Sequence, residues 1–150
     1  MNAFTLLKED HERVSAIFEK LEPTTERAVK TREELFARLK TELENHTQIE
    51  EQIFYPALKE EEETRDITLE GIEEHKVVKT LLKEMEGMQV DSEQWTAKLA
   101  VLKENVEHHV EEEEGEMFVK ARKALPKEKL EALGERIEAA KKRAAASSRG

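Results

Sequence analysis

Cysteine is absent from this 150-residue sequence, which excludes thiolate zinc sites, iron–sulfur clusters and cysteine nucleophiles. Glycine and proline are scarce, with 5 and 3 residues, whereas charged residues make up 40% of the chain. This composition is typical of long helices that face solvent on one side. No segment shows the alternation of apolar and polar residues expected of a strand, so we expect an all-α protein.

Excess basic charge and long apolar runs are also lacking. The formal net charge of −10 argues against binding to nucleic acid or to anionic membrane surfaces. No apolar run approaches the roughly 20 residues of a membrane span, and the polar N-terminal segment is unlike a signal peptide. We therefore expect a cytoplasmic protein that binds neither nucleic acid nor membrane, and the chain length favours a single domain.

Apolar residues at helical spacing predict four long helices. The first covers residues 3–21, and the second begins either near Thr24 or at the capping-box sequence Thr31–Glu34. The acidic run 59–66 predicts a solvated turn before the third helix, and a break at 87–91 precedes the fourth.

These elements predict an up-down-up-down antiparallel four-helix bundle over residues 1–125. Pro126 suits the first turn of a short fifth helix, which we expect over residues 126–143, packed on the bundle or trailing it. Residues 144–150 are predicted to form a disordered tail.

Each of the four bundle helices carries one histidine at a position that its apolar stripe assigns to the core. Two of these histidines begin the phrase His-x-x-x-Glu, at 46–50 and again 63 residues later at 109–113. The other two histidines lie 64 residues apart, each preceded by an acidic residue. Nearly equal spacings along antiparallel helices place all four in one layer. The candidate metal ligands are His11, His46, Glu50, His75, His109 and Glu113.

A metal explains this set better than a structural role does. A lone histidine on an apolar stripe is usually a core residue with one hydrogen bond, but here two core-facing carboxylates join four histidines. Burying an unpaired carboxylate costs several kcal/mol, so either the acids are protonated or cations lie between them. Six ligands exceed the four that zinc prefers and suit two ions with vacant positions for a small molecule. Nitrogen and oxygen ligands without sulfur favour iron, with zinc or manganese still open.

Four further acids adjoin the candidate ligands. Asp10 and Glu74 each precede a histidine, and either acid can orient a histidine of the next helix. Glu51 and Glu114 follow the candidate carboxylates, one step off the inner face, and we expect them in outer hydrogen bonds or on the surface.

Two other side chains near the motifs are expected outside the site. His108 is turned about 100° from His109 around the helix, towards a neighbour or solvent. Tyr55 lies about 140° around a regular helix from Glu50, which favours a packing role.

Four segments in order resemble the hemerythrin-like family of HHE cation-binding domains: DHERV, HTQIEEQIFYPAL, EEHKVV and HHVEEEEGEMF. The resemblance covers residues 3–125 and implies a four-helix bundle around two iron ions (Fe2+ or Fe3+) bridged by an oxo or hydroxo group. It also implies the six ligands named above.

The oxygen-carrying hemerythrins differ from this sequence at two positions. They have a second histidine one turn after that of the third helix, where this chain has Lys79. Their fourth-helix carboxylate comes five residues after its histidine, and the residue at that position here is Glu114. Glu114 is therefore an alternative metal ligand, either in place of Glu113 or together with it. These differences favour peroxide or nitric oxide chemistry, or sensing, over reversible oxygen carriage.

We therefore expect a non-haem di-iron protein that binds or reacts with a small diatomic or peroxide ligand (O2, H2O2 or NO). A non-enzymatic metal or oxygen binder, store or sensor is the alternative, so the sequence leaves open whether the protein is an enzyme. A ferritin-like ferroxidase is less favoured, because such bundles use Glu-x-x-His rather than His-x-x-x-Glu.

Overall fold

The computed structural model describes the backbone of residues 2–149 and the side chains of residues 2–147. Within this range every regular element is helical, as predicted, and two of the elements are π-helical. In chain order they are α1 (Ala3–Leu21), α2 (Val29–Ile49), π1 (Glu50–Phe54), α3 (Tyr55–Lys59), α4 (Glu62–Glu86), α5 (Glu93–Glu112), π2 (Glu113–Met117), α6 (Phe118–Ala124) and α7 (Lys127–Arg149).

The nine elements form five continuous helices. π1 joins α2 to α3, and π2 joins α5 to α6, so each pair makes one long helix with a π-helical turn inside it. Together with α1 and α4 they form the four-helix bundle that the sequence predicts. α7 packs outside this bundle, against α1, α2 and π1.

The helix ends follow ordinary capping rules, with one correction to the predicted turns. Asn2 caps α1 and Ser92 caps α5, each with a side-chain oxygen that accepts a backbone N–H bond. The predicted turn over residues 59–66 is too long, because α3 ends at Lys59 and α4 begins at Glu62. Glu62 and Glu63 of this run occupy the first turn of α4, where the helix dipole favours negative charge.

The C-terminal helix is longer than expected. α7 begins directly after Pro126 and continues to Arg149, past the predicted end at residue 143. Most of the segment predicted as a disordered tail is therefore helical, and Gly150 lies outside the described residues.

Two apolar clusters fill the bundle, one at each end. The α7 cluster lies at the end that α7 covers, and the tryptophan cluster fills the other end. The α7 cluster includes Phe4, Leu7, Phe54, Leu58, Phe118, Leu133 and Ile137. The tryptophan cluster includes Val14, Phe18, Leu39, Leu43, Val78, Trp95, Leu102 and Val106. Between these clusters lies a layer of buried polar side chains.

A buried arginine ties together the loops at the end of the tryptophan cluster. The Arg32 guanidinium donates to Thr24 O at 2.9 Å and to Val90 O at 2.7 Å, so it joins the α1–α2 and α4–α5 connections. Its Cζ atom lies 4.9 Å from the centre of the Trp95 ring, within cation–π distance. Among the helices described, none combines the length and apolar character needed to cross a membrane.

Candidate metal centre

All six candidate ligands meet in the polar layer between the two apolar clusters, and all six are buried. Their ligating atoms form two groups, in each of which every atom lies within 4.8 Å of the others. Glu50 belongs to both groups and so lies between them. The first group is His11, His46, Glu50 and Glu113, and the second is Glu50, His75 and His109.

The Nε2 atoms of the histidines face the two carboxylates. Glu50 Oε1 lies 3.1 Å from His46 Nε2 and 3.1 Å from His75 Nε2. Glu113 contacts the remaining two histidines, with Oε1 3.0 Å from His11 Nε2 and Oε2 3.3 Å from His109 Nε2. Each carboxylate therefore joins histidines from both halves of the repeated sequence.

The Nδ1 atoms point outwards, and each meets a carboxylate from another helix. Because an ionised carboxylate only accepts hydrogen bonds, each Nδ1 atom is the donor. Nδ1–H groups donate from His11 to Glu114 at 2.6 Å, from His46 to Asp10 at 2.8 Å, from His75 to Glu51 at 2.9 Å and from His109 to Glu74 at 2.6 Å. This arrangement leaves the four Nε2 atoms for the centre, which is the usual orientation of histidines that bind a metal.

These outer contacts agree with the sequence expectations for the neighbouring acids. Asp10 and Glu74 each orient a histidine of another helix, and Glu51 and Glu114 also serve as outer partners rather than joining the inner group. His108 is exposed, as expected, with 64% of its side-chain surface open to solvent.

The prediction for Tyr55 was incomplete, because its hydroxyl lies inside the centre. The hydroxyl donates to Glu113 Oε2 at 2.6 Å and lies 3.2 Å from Glu50 Oε1. It also lies 3.3 Å from His75 Nε2 and 3.1 Å from His109 Nε2. Tyr55 thus has the contacts of a seventh candidate ligand.

The π-helical turn explains why the sequence pattern missed this residue. In π1 the backbone N–H of Tyr55 donates to the carbonyl of Glu50, five residues earlier. This wider turn brings residues five apart towards the same face, whereas a regular helix separates them by about 140°. Pro56 is the one local signal of an irregular turn, because it has no N–H group to continue the helical pattern.

The two halves of the centre are not equivalent at this position. The repeat that relates His46 to His109 relates Tyr55 to Phe118, so the first half of the sequence has a hydroxyl where the second has only a ring. Tyr55 stacks on His75 with ring centres 5.1 Å apart, and Phe118 stacks on His11 at 6.3 Å. The first group of donors therefore has an apolar ring beside it and the second has a phenol.

The buried charges shift several pKa values. Burial opposes protonation of His46, but the charge of Glu50 and hydrogen bonds to Asp10 and Glu50 raise its pKa to about 10. Burial likewise opposes protonation of His109, whereas hydrogen bonds to Glu113, Glu50 and Glu74 raise its pKa to about 12. Burial and the charges of Glu113 and Glu50 raise the pKa of Tyr55 well above its usual value. Without a cation, protons on His46 and His109 thus balance the buried carboxylates.

Two carboxylate oxygens without a hydrogen-bond partner indicate that these residues can bind a metal ion. Among the described residues, Glu50 Oε2 and Glu113 Oε1 are buried and have no hydrogen-bond partner, although the latter lies 3.0 Å from His11 Nε2. A buried carboxylate oxygen without a partner costs free energy unless a cation binds it. The four inward Nε2 atoms and the carboxylate oxygens are suitable donors for such a cation.

A small cavity adjoins the centre on the side of the tryptophan cluster. Its volume is about 20 Å³, and imidazole rings and aliphatic side chains form most of its wall. The cavity is lined by His11, Val14, Leu43, His46, Thr47, His75, Val78, Val106, His109 and Val110. The Thr47 hydroxyl donates to the carbonyl of Glu44 at 3.2 Å, so the aliphatic part of the wall offers no free hydroxyl proton.

Lys79 lies at the surface, outside the group of donors. Its ammonium lies 2.7 Å from Glu51 Oε2 in a half-exposed ion pair. α4 therefore contributes one histidine to the centre.

Comparisons with known proteins agree with this architecture. The family model for the hemerythrin HHE cation binding domain matches residues 2–121. The crystal structure of an HHE cation binding domain-containing protein from Mycobacterium kansasii, an Rv2633c homologue, superposes with a TM-score of 0.84 at 26% identity and covers 98% of this chain and 89% of that one.

A curated relative is similar in sequence over most of this chain but is a much longer protein. It is a DNA nickase from Nostoc sp. (strain PCC 7120 / SAG 25.82 / UTEX 2576), 26% identical over 141 residues. The match covers 94% of this chain and 39% of the relative.

Proposed function

Because the chain belongs to the hemerythrin HHE cation-binding domain family, we propose that its buried centre holds two iron ions and reacts with a small oxidant, namely O2, H2O2 or NO. When bound, an iron pair supplies electrons and open coordination positions for such a molecule. The rest of the proposal concerns what the side chains of this protein contribute.

The division of the donors into two groups supports a pair of ions. His11 and His46 belong to one group and His75 and His109 to the other, with Glu50 common to both. One ion of tetrahedral preference would leave several of these buried nitrogens and oxygens without a partner. Two ions, one in each group, would give all of these donors a partner.

The observation that carries the choice of substrate is the cavity lined by all four histidines. Its volume of about 20 Å³ exceeds the ~10–15 Å³ needed for one water. It therefore accommodates a molecule with about two heavy atoms and is too small for an organic substrate. Its aliphatic wall of Val14, Leu43, Val78 and Val106 favours a neutral molecule over an anion.

Tyr55 gives the second group of donors its own chemistry. Its hydroxyl proton is held on Glu113 at 2.6 Å, and burial opposes loss of that proton. A cation between His75 and His109 would favour the phenolate, which then completes this group as a ligand. The first group has the carboxylate of Glu113 where the second would have this phenolate, so the two groups differ in the kind of oxygen that they would offer a cation.

The position of Lys79 favours consumption of the oxidant over reversible carriage. α4 contributes His75 alone, since the side chain one turn later forms the surface ion pair with Glu51. Fewer protein ligands leave more positions at which an oxidant can react. A binder, store or sensor remains the alternative function, and turnover distinguishes it from the proposal.

The experiment measures iron content and oxidant consumption on protein purified from iron-supplemented cells. Glu113→Ala removes a buried carboxylate of the centre, and Glu111→Ala is the matched control, because Glu111 lies two residues earlier and is exposed. We expect two iron ions per chain in the wild type and in the control, with loss in Glu113→Ala. We also expect the wild type to consume peroxide or NO catalytically.

The other outcomes separate the alternatives. Iron binding with no turnover of peroxide or NO, followed by release of an unchanged ligand, would identify a carrier or sensor. A single zinc ion, or no metal in any variant, would contradict the di-iron proposal.

A further inference from the structure

Lys141 of the C-terminal helix α7 contacts the polar layer. Its ammonium donates to the Leu6 carbonyl at 3.1 Å and lies 3.0 Å from Asp10 Oδ1. Both acceptors are on α1, 135 and 131 residues away in sequence. Lys141 is well buried for a lysine, with 16% of its side chain exposed. Its charge is therefore screened less than that of a surface lysine.

Asp10 differs from the other three acids that orient the histidines. Only 6% of its side chain is exposed, against 29% for Glu51, 27% for Glu74 and 34% for Glu114. Both of its oxygens have donors. Oδ2 accepts the His46 Nδ1–H bond at 2.8 Å, and Oδ1 faces Arg13 at 2.8 Å and Lys141 at 3.0 Å.

Of the two cations on Asp10, Lys141 is the better placed to fix the carboxylate. The Arg13 side chain is 49% exposed, and its guanidinium also lies 3.7 Å from Glu42, so it has an alternative partner. Exposed ion pairs of this kind contribute little, because water and salt screen them. The Lys141 ammonium is less exposed than Arg13 and also donates to the Leu6 carbonyl, and its other acidic neighbour, Glu9, lies farther away than Asp10, at 3.6 Å.

The connection from α7 to the inner donors is short. Lys141 contacts Asp10, Asp10 contacts His46 Nδ1, and His46 Nε2 lies 3.1 Å from Glu50 Oε1. A rotation of the Asp10 carboxylate would leave the His46 ring free to turn. We propose that Lys141 is a positioning residue, which fixes Asp10 and so holds His46 in the orientation required for a cation in the first group of donors. This inference rests on the proposed function, because it assumes that the first group holds a metal.

The matched pair of substitutions is Lys141→Met and Lys142→Met. Met keeps the length of the lysine stem but removes the charge and the donor, and Lys142 is an exposed neighbour on the same helix. Lys141→Arg restores a cation that can reach Asp10, so it tests for rescue. Circular dichroism establishes that each variant is folded, and Lys141→Gln, which retains a donor, replaces Lys141→Met if that variant does not fold.

Two readouts are measured on each folded variant. The first is Co2+ affinity, followed by the visible spectrum in competition with a chelator. Substitution of residues that orient metal ligands typically weakens binding by about 10–100-fold. Lys141 acts one step further away, so we expect the low end of this range, about tenfold for one of the two Co2+ steps. The second is the exchange rate of the His46 Nδ1–H proton in nuclear magnetic resonance spectra of the metal-free protein.

The outcomes are separable from those of the proposed function. The role would be established if Lys141→Met binds one Co2+ ion more weakly and exchanges the His46 proton faster than the wild type. Lys142→Met should behave like the wild type, and Lys141→Arg should restore both properties. Equal affinity and exchange in Lys141→Met and wild type, or equal losses in both lysine variants, would overturn it. If the wild type binds no metal, the proposed function fails, while the His46 exchange rate still decides whether Lys141 positions this ring.

Discussion

At the scale of single residues, the centre is defined by which atom of each histidine faces inwards. Every Nδ1–H group donates to a carboxylate of another helix, so rotation of any ring breaks a charge-assisted hydrogen bond. The inner atoms are then preorganised, and a cation replaces the protons that otherwise balance Glu50 and Glu113. Tyr55 adds a hydroxyl that has no counterpart at Phe118, the position to which the repeat relates it.

Tyr55→Phe tests the role of the hydroxyl while retaining the ring. The chain contains a single tyrosine, so a phenolate-to-iron absorption band in the visible range can arise from Tyr55 alone. We expect such a band in the iron-loaded wild type and its absence in Tyr55→Phe. A persistent band would show that the absorption has another origin and that the phenol is not a ligand. In metal-free Tyr55→Phe, Glu113 lacks its hydrogen-bond donor, so we expect the free energy of unfolding to be lower than in the wild type by about 1–3 kcal/mol.

Metal uptake should release protons from the histidines. The pKa values of His46 and His109 are raised to about 10 and about 12, so both rings are protonated at neutral pH in the absence of a cation. A histidine must lose its Nε2 proton to bind a metal, so the apparent affinity rises as pH increases towards 10. Calorimetric titration with Zn2+ or Co2+ in buffers of different ionisation enthalpy measures the number released. Metal binding without proton release would contradict these protonation states.

At the scale of the elements, the two π-helical turns begin at the two inner carboxylates, Glu50 and Glu113. Each turn widens its helix, and the first thereby places Tyr55 in the centre. α4 makes room for this tyrosine at Gly71, where an added Cβ would lie 3.2 Å from the Tyr55 hydroxyl oxygen and 3.2 Å from Met117 Cε. The position of the phenol thus depends on a close approach between two helices.

Gly71→Ala should alter the centre without removing any donor. The flexible end of Met117 can move away from the added methyl group. The Tyr55 hydroxyl can make room only by shifting within its four contacts, so we expect its position in the centre to change. We expect a shifted or weakened phenolate band, with helix propensity (about 1 kcal/mol in favour of alanine) offsetting the steric cost. Gly115→Ala is the control, because a Cβ there meets nothing within 4 Å. An unchanged spectrum in Gly71→Ala would show that the space beneath Tyr55 is adaptable.

At the scale of the whole molecule, the polar layer lies between two apolar clusters, and α7 covers one of them. Leu133 and Ile137 pack into the same cluster as Phe4 and Phe118. α7 therefore contributes to the core as well as to the surroundings of the centre. Its burial follows from the apolar positions that the sequence repeats at helical spacing after Pro126.

Ile137→Ala measures how much this helix stabilises the bundle. Ile137 is fully buried, so its truncation removes apolar contacts and leaves a cavity. We expect the free energy of unfolding, measured by urea denaturation, to fall by about 2–4 kcal/mol. Glu135→Ala, an exposed change on the same helix, should alter it by less than about 0.5 kcal/mol. A similar small effect for Ile137→Ala would mean that α7 detaches readily from the bundle.

The sequence by itself determined the helical class, the bundle and the six side chains that meet in the polar layer. These features follow from periodicity, because residues three or four apart share a helix face and a buried carboxylate beside a histidine has few structural explanations. The repeat of His-x-x-x-Glu also indicated the approximate symmetry of the two halves.

The tertiary structure alone decided where Tyr55 and Lys141 lie and which histidine each outer carboxylate contacts. One wide turn in π1 changes which face Tyr55 occupies, and the regular helical spacing of the sequence does not predict that turn. The contact between Lys141 and Asp10 depends on how α7 docks against α1, and helical periodicity does not predict that docking. Periodicity specifies the faces of each helix separately, whereas the rotations and offsets between helices decide which polar side chains meet.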